Sequence, residues 1–158
     1  MPVGGAAGVI IAQGGAFGGW SLYLRHDGVP VYCYNLMGLQ ITKVAGSDPL
    51  APGSHRVVMA FTYDGGGPGR GGDIELKVNG ETVAKGRLYR TVPLVFSHDL
   101  TCDVGQDGGL PVSDDYRAED SEFTGTVESV LIELSDGDDD FNHLIDPQLR
   151  LSVAISRQ

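Results

Sequence analysis

Cysteine, basic residues and long apolar runs are all scarce in this 158-residue sequence, and each scarcity excludes something. No apolar run approaches the ~20 residues that a membrane-spanning helix needs, so membrane insertion is not expected. The opening Met1-Pro2-Val3-Gly4-Gly5 has no basic stretch and does not read as a secretory signal. The two cysteines, Cys33 and Cys102, lie far apart with no C-x-x-C spacing. They read as free thiols of a reducing, cytoplasmic compartment, with a single disulfide as the alternative. Lysine and arginine number 11 against 21 acids, a net charge of −10, so binding to a nucleic-acid backbone is not expected. No window sustains the i, i+3, i+4, i+7 pattern of a helix over three turns.

Alternation and turns are what the sequence has in quantity. With 24 glycines and 8 prolines in no fixed period, it is turn-rich without being collagen-like. Trp20, Leu22 and Leu24 alternate with Ser21 and Tyr23, and Asp27-Gly28 turns the chain into 31–37, so 20–37 reads as a hairpin. Further strands are expected at 8–13, 39–44, 55–63, 73–79, 81–89, 94–96, 123–134 and 149–155. Asn79-Gly80 between two of them is a two-residue hairpin signal. The stretches 97–122 and 135–147 read as acidic loops. The expected fold is all-β, a two-sheet jelly-roll-like sandwich of the laminin-G or concanavalin kind, forming one domain over 1–158.

The charge is polarised along this frame. Residues 99–146 hold 15 acids and one base, Arg117, whereas the rest is mildly basic. Asp103, Asp107, Asp114 and Asp115 sit in a glycine-bearing loop, where carboxylates two to four residues apart can converge on Ca²⁺. The bland counterpart is a solvated loop whose aspartates cap turns. A second run, Asp136 to Asp140 with His143 and Asp146, reads as a solubilising loop. His26-Asp27 and His98-Asp99 are His–carboxylate pairs, and His98 lies five residues before Asp103. Histidine with carboxylates can hold Zn²⁺ or Mn²⁺ and acidify a water for attack on a phosphate or sulfate ester. Against this, no H-x-H or H-x-x-x-H spacing is present. Gly14 to Gly19 lacks the Lys-Ser/Thr of a phosphate loop and reads as a tight turn. Trp20, Tyr23, Tyr32 and Tyr34 could form a sugar-stacking platform, although core packing is the ordinary fate of such rings.

The strings GVIIAQGGAFGGWSLYL (8–24), VYCYNLMGLQ (31–40), FTYDGGGPGRGG (61–72), DVGQDGGLPVSDDY (103–116) and FTGTVESVLIEL (123–134) occur in this order, and the chain closes with DPQLRLSVAISRQ (146–158). Together they resemble the C-terminal domain of large bacterial arylsulfatases. The resemblance implies a β-sandwich that accompanies an α/β catalytic domain as its partner. Neither cysteine stands in the C/S-x-P-S-R motif that sulfatases convert to formylglycine, so this chain alone is not expected to be such a sulfatase. The family also supplies a strand ahead of the Gly8 segment. Without it a sheet edge would be left open, and self-association through that edge is expected.

Three functions follow as expectations. The first is an accessory domain holding a divalent metal, Ca²⁺ foremost, at Asp103, Asp107, Asp114 and Asp115. The second is a free-standing hydrolase of phosphate or sulfate esters, using Zn²⁺ or Mn²⁺ with His98 as the catalytic residue. The third is a carbohydrate-binding module.

Overall fold

The computed structural model describes residues 1–93, 96 and 101–134. The alternating segments become antiparallel strands: β1 Gly8–Gly15, β2 Gly18–Leu24, β3 Pro30–Leu36, β4 Gln40–Ala45, β5 Val57–Tyr63, β6 Gly72–Val78, β7 Glu81–Leu88 and β8 Cys102–Val104. Two sheets result, one in the order β4-β3-β2-β1-β8 and one in the order β5-β6-β7. The fold is therefore the expected all-β, two-sheet sandwich. Within each sheet the chain mostly meanders between neighbours. β8 breaks that order by returning beside β1 after the second sheet is complete, a Greek-key type of closure.

The turns behave as their residues dictate. Asn79 and Gly80 both take positive φ, 53° and 90°, which a type I′ hairpin turn requires. Between β2 and β3, Gly28 sits at φ 80°, and the Asp27 carboxylate accepts the Val29 N–H at 3.2 Å. This side-chain turn is typical of Asp-Gly sequences. The pairing Leu24↔Pro30 through Gly19↔Asn35 then fixes the register of the hairpin.

Register decides which side chains meet. Leu22, Tyr32, Tyr34 and Val44 of the larger sheet face Ile74, Leu76 and Leu88 of the smaller one, and this is the main core. At Gly86 the sheets approach so closely that a Cβ would stand 2.3 Å from Val44 Cγ2. The other face of the larger sheet is buried too. Val9, Ala12, Tyr23, Val31 and Cys33 lie there under Val112 and Tyr116, which belong to the acidic stretch after β8. Burial on both faces explains why β2 and β3 are apolar or small at nearly every position.

Three expectations need correction. Residues 97–122 are not one irregular loop, because Cys102–Val104 pairs with Gln13 to Ile11 and a short 3₁₀ turn forms at Ala118–Asp120. Three residues are too few to show a period of two, which is why the sequence hides β8. Conversely, Phe123 to Leu134 alternates well yet joins no ladder among the described residues. A strand exists only with a partner for its backbone, and propensity alone does not provide one. The edge of β1 is also not open. Residues 101–105 and 121–124 bond along it, from Gly14 N–H on the Thr101 carbonyl (3.2 Å) to Thr124 N–H on the Ala7 carbonyl (2.9 Å). The strands expected at 94–96 and 149–155 and the acidic loop 135–147 lie wholly or largely outside the described residues.

Candidate functional site: the acidic loop on the outer sheet face

Gly105, at φ 83°, turns the chain out of β8 and starts a loop that runs across the outer face of the larger sheet to Ser121. Asp107 anchors it. This residue is 2% exposed, and its carboxylate accepts the Val112 N–H at 2.9 Å and the Tyr116 hydroxyl at 2.7 Å. Its own N–H donates to Ser121 Oγ at 3.0 Å, and the Ser121 carbonyl accepts the Val9 N–H at 2.8 Å. One buried aspartate thus ties the start, middle and end of the loop to each other and to β1. The Tyr116 ring meets Tyr23 edge-on, with centroids 5.1 Å apart. Burial, acting together with the bond to Asp107, pushes the Tyr116 hydroxyl well above its ordinary pKa and keeps it a donor.

A second fastening lies over β3 and β4. Lys43 of β4 points its ammonium at the carboxylates of both Asp114 and Asp115, at 2.5 Å in the second case. The other Asp115 oxygen accepts the Tyr23 hydroxyl, which also meets Ser113 Oγ at 3.1 Å. The bond to Lys43 holds the Asp114 carboxyl below its usual range. For Lys43, partial burial works against the charge, but the two carboxylates outweigh it and its pKa rises. Asn35 of β3 adds a polar rivet, its amide donating to the Val112 carbonyl at 3.0 Å and the Ala16 carbonyl at 3.2 Å.

Set against the sequence, the four aspartates do not form one cluster. Asp114 and Asp115 meet on Lys43, and Asp107 is enclosed by Tyr116 and the Val112 amide. Asp103 stays on β8, taking a 2.9 Å hydrogen bond from Thr101 Oγ1. Among the described residues, no three His, Cys, Asp or Glu side chains come together as ligands for a metal ion. Within the described residues each of these carboxylates serves an internal donor, Thr101 for Asp103, the Val112 amide and Tyr116 for Asp107, and Lys43 for Asp114 and Asp115. His98 lies outside the described residues. Asp27 pairs with Arg25 rather than forming a dyad with His26.

The residues that sequence reasoning missed are the loop's basic, hydroxyl and amide partners: Lys43, Tyr23, Ser113, Tyr116 and Asn35. The available signal was electrostatic. A stretch with fifteen acids and one base attracts a cation, and Lys43 on the edge strand β4 supplies one to Asp114 and Asp115.

Cys33 and Cys102 are both free. Burial pushes the Cys33 thiol up to about 11, so it is protonated near neutrality and a poor nucleophile. Of the expected sugar-stacking rings, Tyr23, Tyr32 and Tyr34 are buried, and Trp20 is half-buried with its indole N–H donated to Gln13 Oε1 at 3.0 Å. A shallow, open depression of about 370 Å³ lies between Val104, Gln106, Glu122, Phe123 and Val127. Among the described residues, Glu122 is the one carboxylate lining the depression, with no second titratable group to share acid and base roles. Compared with known family models, curated proteins and solved structures, the chain matches none.

Proposed function

We propose that this chain is a non-catalytic accessory β-sandwich domain, similar in role to the C-terminal domain of bacterial arylsulfatases. One observation carries the reading. The carboxylates with the most chemical potential, Asp107, Asp114 and Asp115, are used to hold a loop against the sheet. A general base or nucleophile needs a lone pair directed at a substrate, and these are directed at internal donors. The acidic loop then acts as a fastening, and the partner in this reading is a catalytic domain, met through the surface of the sandwich. Calcium has no waiting set of ligands among the described residues, so the reading gives it no step.

The test is a turnover assay on the purified chain with aryl phosphodiesters, phosphotriesters and aryl sulfates. It is run after chelation and again with Ca²⁺, Zn²⁺ or Mn²⁺ restored. The expected result is no turnover above the protein-free rate under any condition. Metal-dependent turnover that His98→Ala or Asp103→Ala abolishes would replace this reading with the ester hydrolase.

A further inference from the structure

The segment Thr126–Leu134, TVESVLIEL, has the composition of a strand and the exposure of a surface loop. Val130 is 37% exposed, Leu131 72%, Ile132 59% and Leu134 88%. Apolar side chains that alternate along a segment suit it to adding itself to a sheet edge. Its root is fixed, because Thr124 N–H bonds the Ala7 carbonyl and Thr124 Oγ1 accepts the Ala7 N–H at 3.0 Å.

A matching edge exists elsewhere on the same chain. β5 has β6 on one side and no strand on the other among the described residues. It carries no charge from Val57 to Tyr63, and Phe61 and Tyr63 are each more than one third exposed. Val57 and Met59 face the main core. Arg56, immediately before β5, is exposed and makes no ion pair among the described residues.

Antiparallel pairing in one register satisfies both segments. Placing Glu133 opposite Arg56 puts Ile132 against Val57, Leu131 against Val58, Val130 against Met59 and Ser129 against Ala60. Because side chains alternate, Val130 and Ile132 then share the face of Met59 and Val57 and extend the core, while Glu133 and Arg56 pair on the other face. A shift of one residue would turn Val130 and Ile132 away from the core face and separate the charges. We propose that Thr126–Leu134 of one copy adds as a strand to the β5 edge of a second copy, reciprocally, forming a two-fold dimer. The exchange is isologous, so each dimer contains the Glu133–Arg56 pair twice.

Sedimentation equilibrium on the full chain over a wide dilution range measures the association. The expected result is a dimer that dissociates on dilution. Glu133→Arg and Arg56→Glu should each weaken it by about tenfold, and the double reversal should restore it, as opposite charges do across strands. Both sites are exposed, so unchanged thermal unfolding in dilute solution shows that the variants still fold. A second measurement excludes pairing within one chain. In a Cys102→Ser background, a Val130→Cys chain is mixed with a Met59→Cys chain under mild oxidation. A disulfide-linked heterodimer, formed faster than either homodimer, supports the exchange. A monomer at all concentrations, or a dimer indifferent to both charge reversals, would overturn it.

Discussion

Replacing Lys43 with methionine keeps most of the stem and removes only the ammonium that Asp114 and Asp115 share. The magnitude divides by exposure. Asp114 is 69% exposed at its side chain, so its ion pair contributes less than about 1 kcal/mol. Asp115 and Lys43 are near 27% and 28% exposed, and a charge-assisted hydrogen bond there is worth about 1.5–3 kcal/mol. The substitution also leaves two adjacent carboxylates without their cation. A loss of about 2–3 kcal/mol is expected, or roughly 4–12 °C in Tm for a chain of this size. The pH dependence identifies the cause. Asp114 has a folded-state pKa below its unfolded value, so its stabilisation is full above about 4 and is lost as pH falls through the folded value. Lys43 has a raised folded-state pKa, so its stabilisation is full below about 10 and is lost as pH rises through the folded value. Urea unfolding of wild type and Lys43→Met from pH 2.5 to 9 should therefore show a plateau of difference near neutrality that shrinks on acidification. A gap under about 0.5 kcal/mol at pH 7, or one that persists undiminished at pH 2.5, would refute the clamp.

Three further outcomes are expected. Asp107→Ala strands the Val112 N–H and the Tyr116 hydroxyl, which should cost about 2–4 kcal/mol in urea unfolding and accelerate hydrogen exchange at Val112. Gly86→Ala drives a methyl into Val44 where the sheets are closest, and a loss of about 1–3 kcal/mol is expected from the same measurement. Maleimide should label Cys102 in the native protein and spare Cys33 until denaturant is added, because only the first is exposed and the second is held protonated by burial.

The strands of both meanders were legible because each carries its own period. Trp20-Leu22-Leu24 and Ile74-Leu76-Val78 alternate over enough residues to reveal a half-buried face, and Asn79-Gly80 specifies its turn locally. β8 was not legible, since three residues drawn against β1 by tertiary context have no pattern to read. Phe123 to Leu134 failed in the opposite direction, with a full strand pattern and no ladder among the described residues. The acidic loop was recognised as more than solvated charge, but the internal partners of its carboxylates were not legible. Asp107 and Asp115 resemble metal ligands when only the acids are counted. Their role became visible only when the fold brought Tyr116 and Val112 to one and Lys43 and Tyr23 to the other. Those partners lie up to 92 residues away in sequence, beyond the reach of any local spacing rule.

The central claim of the proposed reading is that the protein's own donors, Lys43 among them, suffice to hold the acidic loop without a bound metal ion. Thermal unfolding of the chain in excess chelator, and again in millimolar Ca²⁺, tests this most directly. The account predicts midpoints within about 1 °C of each other. An ion bound at one hundredth of the added concentration would stabilise by about 2.7 kcal/mol. A rise of about 5 °C or more with Ca²⁺, abolished by Asp103→Ala or Asp114→Ala, would contradict it.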